Sequence, residues 1–133
     1  MYTVSKTFSF CYGHRLVGDH TKCRHLHGHT AKVTISLRQE KLDEKGMVVH
    51  FAKLKETIGK WIDDEIDHTM LLSENDPIKE MLAKSGERFL LLPFSPTAEN
   101  LARYIFEKTK EFGFPVEQVE LWESENAKAM YSI

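Results

Sequence analysis

The hydrophobic period of this chain switches from two to nearly four and back again, and those switches limit the folds open to it. Over residues 2–10 apolar side chains fall at 2, 4, 8 and 10, the spacing of a half-buried strand. A polar loop follows, from about residue 14 to 24. Residues 27–38 then return to alternation, with Val33, Ile35 and Leu37 on one face. From Phe51 the period is helical: Phe51, Leu54, Ile58, Ile62 and Ile66 recur in step, with Trp61 alongside. A second helix is announced by Ser95-Pro96-Thr97, with Glu99 in its first turn. It carries Leu101, Tyr104, Ile105 and Lys108 in step to about Phe112 and stops at Gly113. Residues 116–124 and 127–133 alternate again, around a turn near Glu125-Asn126.

Shorter pieces fill the gaps. Glu44-Lys45-Gly46 makes a turn and residues 47–49 a short extended piece. After a polar break at 73–77, Ile78, Met81 and Leu82 mark an amphipathic turn closed by Ser85-Gly86. The run 89–92 fits a buried strand or a packed loop equally. The order strand, strand, helix, helix, strand, strand (ββααββ) predicts an α+β fold. It implies a four-stranded antiparallel sheet with two long helices on one face. Such a sheet leaves two unpaired edges to be protected or used in assembly. With 133 residues, one domain spanning 1–133 is expected.

A net charge of −2 and the lack of any long Lys/Arg run argue against a nucleic-acid partner. The apolar runs fall far short of the roughly 20 residues of a membrane span. The opening MYTVSKTFSF alternates and lacks the plan of a signal peptide. A cytoplasmic protein is therefore expected, with Cys11 and Cys23 as free thiols.

Seven histidines stand out, four of them within residues 20–29. His27-Gly28-His29 opens the second alternating segment, where residues i and i+2 share a face and two imidazoles can converge on one ion. Gly28 leaves the opposite side unobstructed. His14 closes the first strand, and antiparallel pairing brings it beside His27. Three neutral imidazoles with a fourth position open is the catalytic form of a Zn2+ site. Cys23 admits two readings: a fourth ligand that closes the site, or a thiolate general base whose pKa a nearby cation lowers from about 8.5. Cys11, within an apolar run, reads as core.

Asp67-His68 follows the first helix. A carboxylate beside an imidazole fixes its tautomer and raises its basicity, although the pair can also simply cap the helix. Glu123 shares a strand face with Val119 and Leu121. A carboxylate at the end of an apolar face needs a partner, unless the strand end is solvated. Thr97 reads as a helix cap or a polar contact to a ligand.

The string Cys23-Arg24-His25-Leu26-His27-Gly28-His29 resembles the Cys-x-x-x-His-Gly-His of the 6-pyruvoyl-tetrahydropterin synthase/6-carboxytetrahydropterin synthase family. The resemblance runs in order along nearly the whole chain: Phe10 to His14, Gly46-Met47-Val48 before Phe51 and Leu54-Lys55, Asp67-His68, Pro96-Thr97-Ala98-Glu99-Asn100, and Trp122-Glu123. It implies the tunnelling fold, closing as homo-oligomeric trimers or hexamers with sites between subunits. It also implies a pterin triphosphate substrate, with zinc on His14, His27 and His29. Cys23, Asp67 and His68 would share proton transfer, and Glu123 and Thr97 would hold the substrate. Glu123 would meet the ring N–H and exocyclic amine of the pterin bidentately. A few of Arg15, Lys22 and Arg24 would face the triphosphate.

The short gap between cysteine and the first His of His-Gly-His resembles the carboxy-forming branch, the 6-carboxy-5,6,7,8-tetrahydropterin synthases of queuosine (deazapurine) synthesis. The pyruvoyl-forming branch and a non-catalytic zinc- or pterin-binding homologue are the alternatives. Two features depart from the family pattern. His50 stands where an aspartate is usual, and histidine is not a strong helix cap. Tyr12-Gly13 replaces a small pair before the first ligand.

Overall fold

The computed structural model describes residues 1–133. Strand β1 (Tyr2–His14) pairs antiparallel with β2 (His27–Gln39) along their full length, from Tyr2 opposite Gln39 to His14 opposite His27. Strand β5 (Val116–Trp122) lies on the far side of β2, with a register shift at Ser36/Leu37, and β6 (Lys128–Ser132) closes that edge.

The alternation predicts which side of this hairpin is dry. Phe10 and Tyr12 of β1, with Ala31, Val33, Ile35 and Leu37 of β2, point to one face and are buried. The other face carries hydroxyls that pair across the strands, Ser5 with Ser36 (2.7 Å) and Thr7 with Thr34 (2.9 Å).

The sheet has six strands, in the order β4-β3-β1-β2-β5-β6, so the four-stranded antiparallel expectation is corrected. Strand β3 (Thr69–Ser73) runs parallel to β1, and β4 (Phe89–Leu92) parallel to β3. Both are short apolar runs, too brief to display a period of their own. Residues 47–49 form no strand. Asp43 holds that loop instead, its carboxylate accepting from the amides of Lys45 (2.8 Å) and Met47 (2.9 Å).

The first long helix, α1, runs continuously over residues 51–66. It begins as Phe51–Leu54 and widens into π turns at Lys55–Gly59 and Ile62–Ile66. Its stripe of Leu54, Ile58, Ile62 and Ile66 is at most 1% exposed, each side chain contributing about 1.5–3 kcal/mol by burial. A short α2 (Lys79–Lys84) crosses to β4. Helix α3 (Ala98–Glu111) buries Leu101, Ala102, Ile105 and Phe106 in the same core cluster, so both long helices cover the same face. Gly113, at φ +91, supplies the left-handed turn that ends it. No helix is long and apolar enough to cross a membrane.

His50 does cap α1: its Nδ1 accepts from the Ala52 amide at 3.1 Å. A neutral imidazole thus does the work of the usual aspartate. His50→Asp should keep the cap, add a negative charge at the helix N-terminus, and raise stability by about 0.5 kcal/mol. Urea unfolding reads the gain, and metal analysis should find the zinc content unchanged; an altered content would mean that His50 does more than cap.

Candidate metal centre

The register that pairs β1 with β2 sets Tyr12 opposite His29 and His14 opposite His27, all on the helix-facing side. The three imidazoles therefore meet at one end of the hairpin, with ring centroids 4.5–5.1 Å apart. One ligand atom from each of His14, His27 and His29 lies within 4.8 Å of the others. His14 and His29 approach through Nε2 at 3.1 Å, close to the roughly 3.3 Å between nitrogens around a tetrahedral zinc.

The outer ring nitrogens settle the tautomers. His14 Nδ1 is 2.7 Å from the Pro96 carbonyl and His27 Nδ1 is 2.7 Å from the His25 carbonyl. A carbonyl can only accept, so both Nδ1 atoms carry hydrogen and both Nε2 lone pairs face the cluster. His14 is 2% exposed. Burial pushes it below the ordinary histidine range, only partly opposed by the Pro96 carbonyl, and His27 and His29 lower it further. A neutral imidazole is what metal ligation requires. This donor set fits a zinc ion, or another divalent metal that accepts imidazole nitrogens.

Cys23 is not part of the group. It lies exposed in a 3₁₀ turn (Lys22–Arg24) on the loop joining β1 to β2. Its amide donates to Thr21 Oγ1 (3.2 Å) and its carbonyl accepts from the Leu16 amide (2.9 Å). Of the nearby cations, Arg15 is already committed. Its guanidinium grips the fully buried Asp76 through Nε (2.8 Å) and Nη2, and Asp76 also accepts from the Ile78 amide at 3.0 Å. Lys22 and Arg24 are exposed, and they line an open polar depression with His20, Thr21 and His25.

Glu123 is the first residue past β5. It continues the face of Val119 and Leu121, whose partners are Ile35 and Val33. Its Oε1 lies 3.9 Å from His14 Nε2 and 4.0 Å from His29 Nε2, and it accepts from the Tyr12 hydroxyl at 3.2 Å. Burial, with the adjacent Glu123 charge and hydrogen bond, drives the Tyr12 phenol far above its ordinary range, so it stays protonated and donates. Tyr12, marked in the sequence only as a departure from the family pattern, is a member of this site. Its signal was present, for Tyr12 continues the even-numbered series that ends at His14.

Thr97 is the N-cap of α3, its hydroxyl oxygen accepting from the Asn100 amide at 3.2 Å. The preceding carbonyl, on Pro96, is the one that orients His14, so the helix start and the metal cradle are tied together. No side-chain pattern announces that contact.

Asp67 and His68 form the expected pair, with Asp67 Oδ2 2.8 Å from His68 Nδ1. The second carboxylate oxygen accepts from the Cys11 amide at 2.8 Å, and the His68 amide donates to the Cys11 carbonyl at 2.7 Å. The last π turn delivers Asp67 there, its amide bonding back five residues to the Ile62 carbonyl. Burial raises the Asp67 carboxyl. The Cys11 amide and the His68 ring and amide outweigh that and hold it below its ordinary value. His68 is the one non-glycine residue with positive φ, at +57, a conformation that costs energy and gathers at functional positions. Its side chain is 77% exposed, and none of its hydrogen bonds reaches Cys23 or the three histidines. One chain thus presents two separate constellations, the histidine cluster with Glu123 and the Asp67–His68 pair.

The sequence model of the family described as 6-pyruvoyl tetrahydropterin synthase matches residues 3–133. Proteins named 6-carboxy-5,6,7,8-tetrahydropterin synthase are similar along almost the whole chain. The one from Rickettsia bellii is 33% identical, covering 95% of this chain and 96% of its own. That of Haemophilus influenzae is 32% identical, with coverages of 98% and 99%. Among solved structures, an uncharacterized protein of Wolinella succinogenes superposes with a TM-score of 0.83 at 26% identity, covering 98% of this chain and 97% of that one. The 6-pyruvoyl tetrahydropterin synthase of Caenorhabditis elegans shares the fold at a TM-score of 0.73 and 24% identity, with coverages of 99% and 95%. With the match extending over the β1–β2 hairpin, Asp67-His68, the start of α3 and Glu123 alike, the chain belongs to the 6-pyruvoyl tetrahydropterin synthase family.

Proposed function

We propose that this chain is a zinc-dependent 6-carboxy-5,6,7,8-tetrahydropterin synthase. It would convert 7,8-dihydroneopterin triphosphate and water to 6-carboxytetrahydropterin, acetaldehyde and triphosphate, as a cytoplasmic enzyme formed by one domain over 1–133. The observation that carries the reading is the convergence of three imidazoles, two with their tautomers fixed by carbonyls, beside a carboxylate that also faces the cluster. The relatives named for this reaction, and the short Cys23 to His27 gap, favour the carboxy-forming branch.

His14, His27 and His29 would hold zinc, which supplies Lewis-acid polarisation of the side-chain hydroxyls. Glu123 would hold the pterin ring through its adjacent N–H donors. Cys23 would take a side-chain proton and return one at another carbon, its loop folding toward the substrate. His68, oriented by Asp67, would complete that relay. Because no hydrogen bond joins Asp67–His68 to the histidines within one chain, the pair would serve the site of a neighbouring subunit. Assembly as a trimer or hexamer through the sheet edges β4 and β6 would provide that neighbour, with the hydroxyl-lined face turned inward. Lys22 and Arg24, rather than the occupied Arg15, are the cations offered to the triphosphate.

The test is incubation of the zinc-loaded protein with 7,8-dihydroneopterin triphosphate, followed by mass spectrometry of the products. Acetaldehyde with 6-carboxytetrahydropterin is the expected outcome. A 6-pyruvoyl product would move the chain to the other branch, and unchanged substrate would leave a non-catalytic zinc- or pterin-binding protein.

A further inference from the structure

We propose that Tyr12 is a positioning residue for Glu123: its phenol fixes the carboxylate through one lone pair of Oε1, so that both oxygens stay presented to a ring bearing two adjacent N–H donors. The proposal rests on the reading of Glu123 as the ring anchor and adds a residue outside the usual family pattern, which has a small side chain where Tyr12 stands.

Three observations carry it. Tyr12 is held by packing, being 3% exposed. Its ring lies 5.1 Å from that of His14, 5.5 Å from that of His29 and 5.6 Å from that of Phe10. A phenol so enclosed cannot follow its partner, so the bond at 3.2 Å fixes Glu123 rather than the reverse. Next, Glu123 Oε2 has no partner in the protein, and no side-chain oxygen in the molecule is both buried and unpartnered, so Oε2 reaches solvent. A carboxylate offers about four lone-pair positions, and the phenol occupies one of them. Lone pairs on both oxygens therefore remain for a bidentate contact.

The surroundings, finally, give Glu123 somewhere else to go. Its Oε1 is about 4 Å from two imidazole nitrogens, and a carboxylate is itself a good zinc ligand. Strand pairing ends at Trp122, and only the Glu123 amide, donating to the Ala127 carbonyl at 3.2 Å, continues it. The phenol makes the one hydrogen bond to the Glu123 side chain, and that bond holds the carboxylate back from closing the metal position. Tyr12 assigns the carboxylate to the ring.

The experiment uses the zinc-loaded full chain, with unsubstituted pterin as a fluorescent ring probe and 7,8-dihydroneopterin triphosphate as substrate. Tyr12→Phe keeps the buried ring and removes only the hydroxyl. It should weaken pterin binding and raise KM about ten-fold, the usual effect of losing one hydrogen bond to a charged group, with kcat little changed. Glu123→Gln should weaken pterin binding at least as much. The double variant should bind no worse than Glu123→Gln alone, because Tyr12 acts only through Glu123. A thermal melt confirms that each variant is folded. Additive losses, or wild-type pterin affinity in Tyr12→Phe, would overturn the positioning role and leave the anchor reading standing. A wild-type protein that fails to bind pterin, or a Glu123→Gln variant that binds it fully, would overturn both.

Discussion

Cys23→Ala should lower turnover by about 10²- to 10⁴-fold, the usual worth of a positioned proton-transfer group, and leave the zinc content as it was. The geometry separates the two roles open to this thiol. The three donor nitrogens form a group on their own, and Cys23 lies outside it on an exposed 3₁₀ turn. The backbone bonds that shape the turn, from the Leu16 amide and to Thr21 Oγ1, do not involve the sulfur. Removing the sulfur therefore leaves the turn and the metal cradle intact. Metal analysis and a single-turnover assay on the same preparation decide the matter. Zinc lost in step with activity would make Cys23 a fourth ligand, and unimpaired turnover would dismiss it as the acid–base group.

Asp76→Ala should destabilise the fold by about 2–3 kcal/mol, because it deprives a half-buried guanidinium and the Ile78 amide of their acceptor. Asp76 is fully buried, and Arg15 reaches it through two donors with its own side chain 23% exposed. The hydrogen bond from Arg15 outweighs burial and holds the Asp76 carboxyl below its ordinary 3.8. A depressed carboxyl contributes stability above its unfolded value and loses it as pH falls through the lower folded one. The gap between wild type and Asp76→Ala should thus be full at pH 7 and shrink as the pH drops below about 3.8. Urea unfolding at a series of pH values measures it. A loss under about 1 kcal/mol at pH 7 would show that Arg15 finds water or another acceptor instead.

Much of the helix-facing half of the molecule was legible in the sequence because it obeys two simple periods. The alternation along β1 and β2 placed His14, His27 and His29 on one face, and the four-residue stripe from Leu54 to Ile66 placed α1 over it. What escaped was either too short or carried by the backbone. The strands β3 and β4, of five and four residues, owe their place to parallel pairing across long sequence separations, which no local pattern encodes. The carbonyls of Pro96 and His25, which set the histidine tautomers, have no side-chain signature. Arg15 looked free beside His14 because its partner lies 61 residues away. Tyr12 was visible as an oddity, but its reach to Glu123 spans 111 residues and needed the fold. His50 was judged by its usual weakness as a cap, yet a neutral ring nitrogen in the right place accepts as an aspartate would.

The hairpin that carries the histidines also governs where the gene can change length. A one-residue insertion or deletion inside β1 would turn every later side chain on that strand to the opposite face, carrying Tyr12 and His14 away from His27 and His29. The loop over residues 15–26 has no ladder partners to put out of register. Insertions can therefore accumulate there and be tolerated, and that loop is the one bearing Cys23. Evolution is thus left with a rigid cradle beside an adjustable arm: the reach of the thiol can be retuned by a few codons while the arrangement of the three histidines is inherited unchanged.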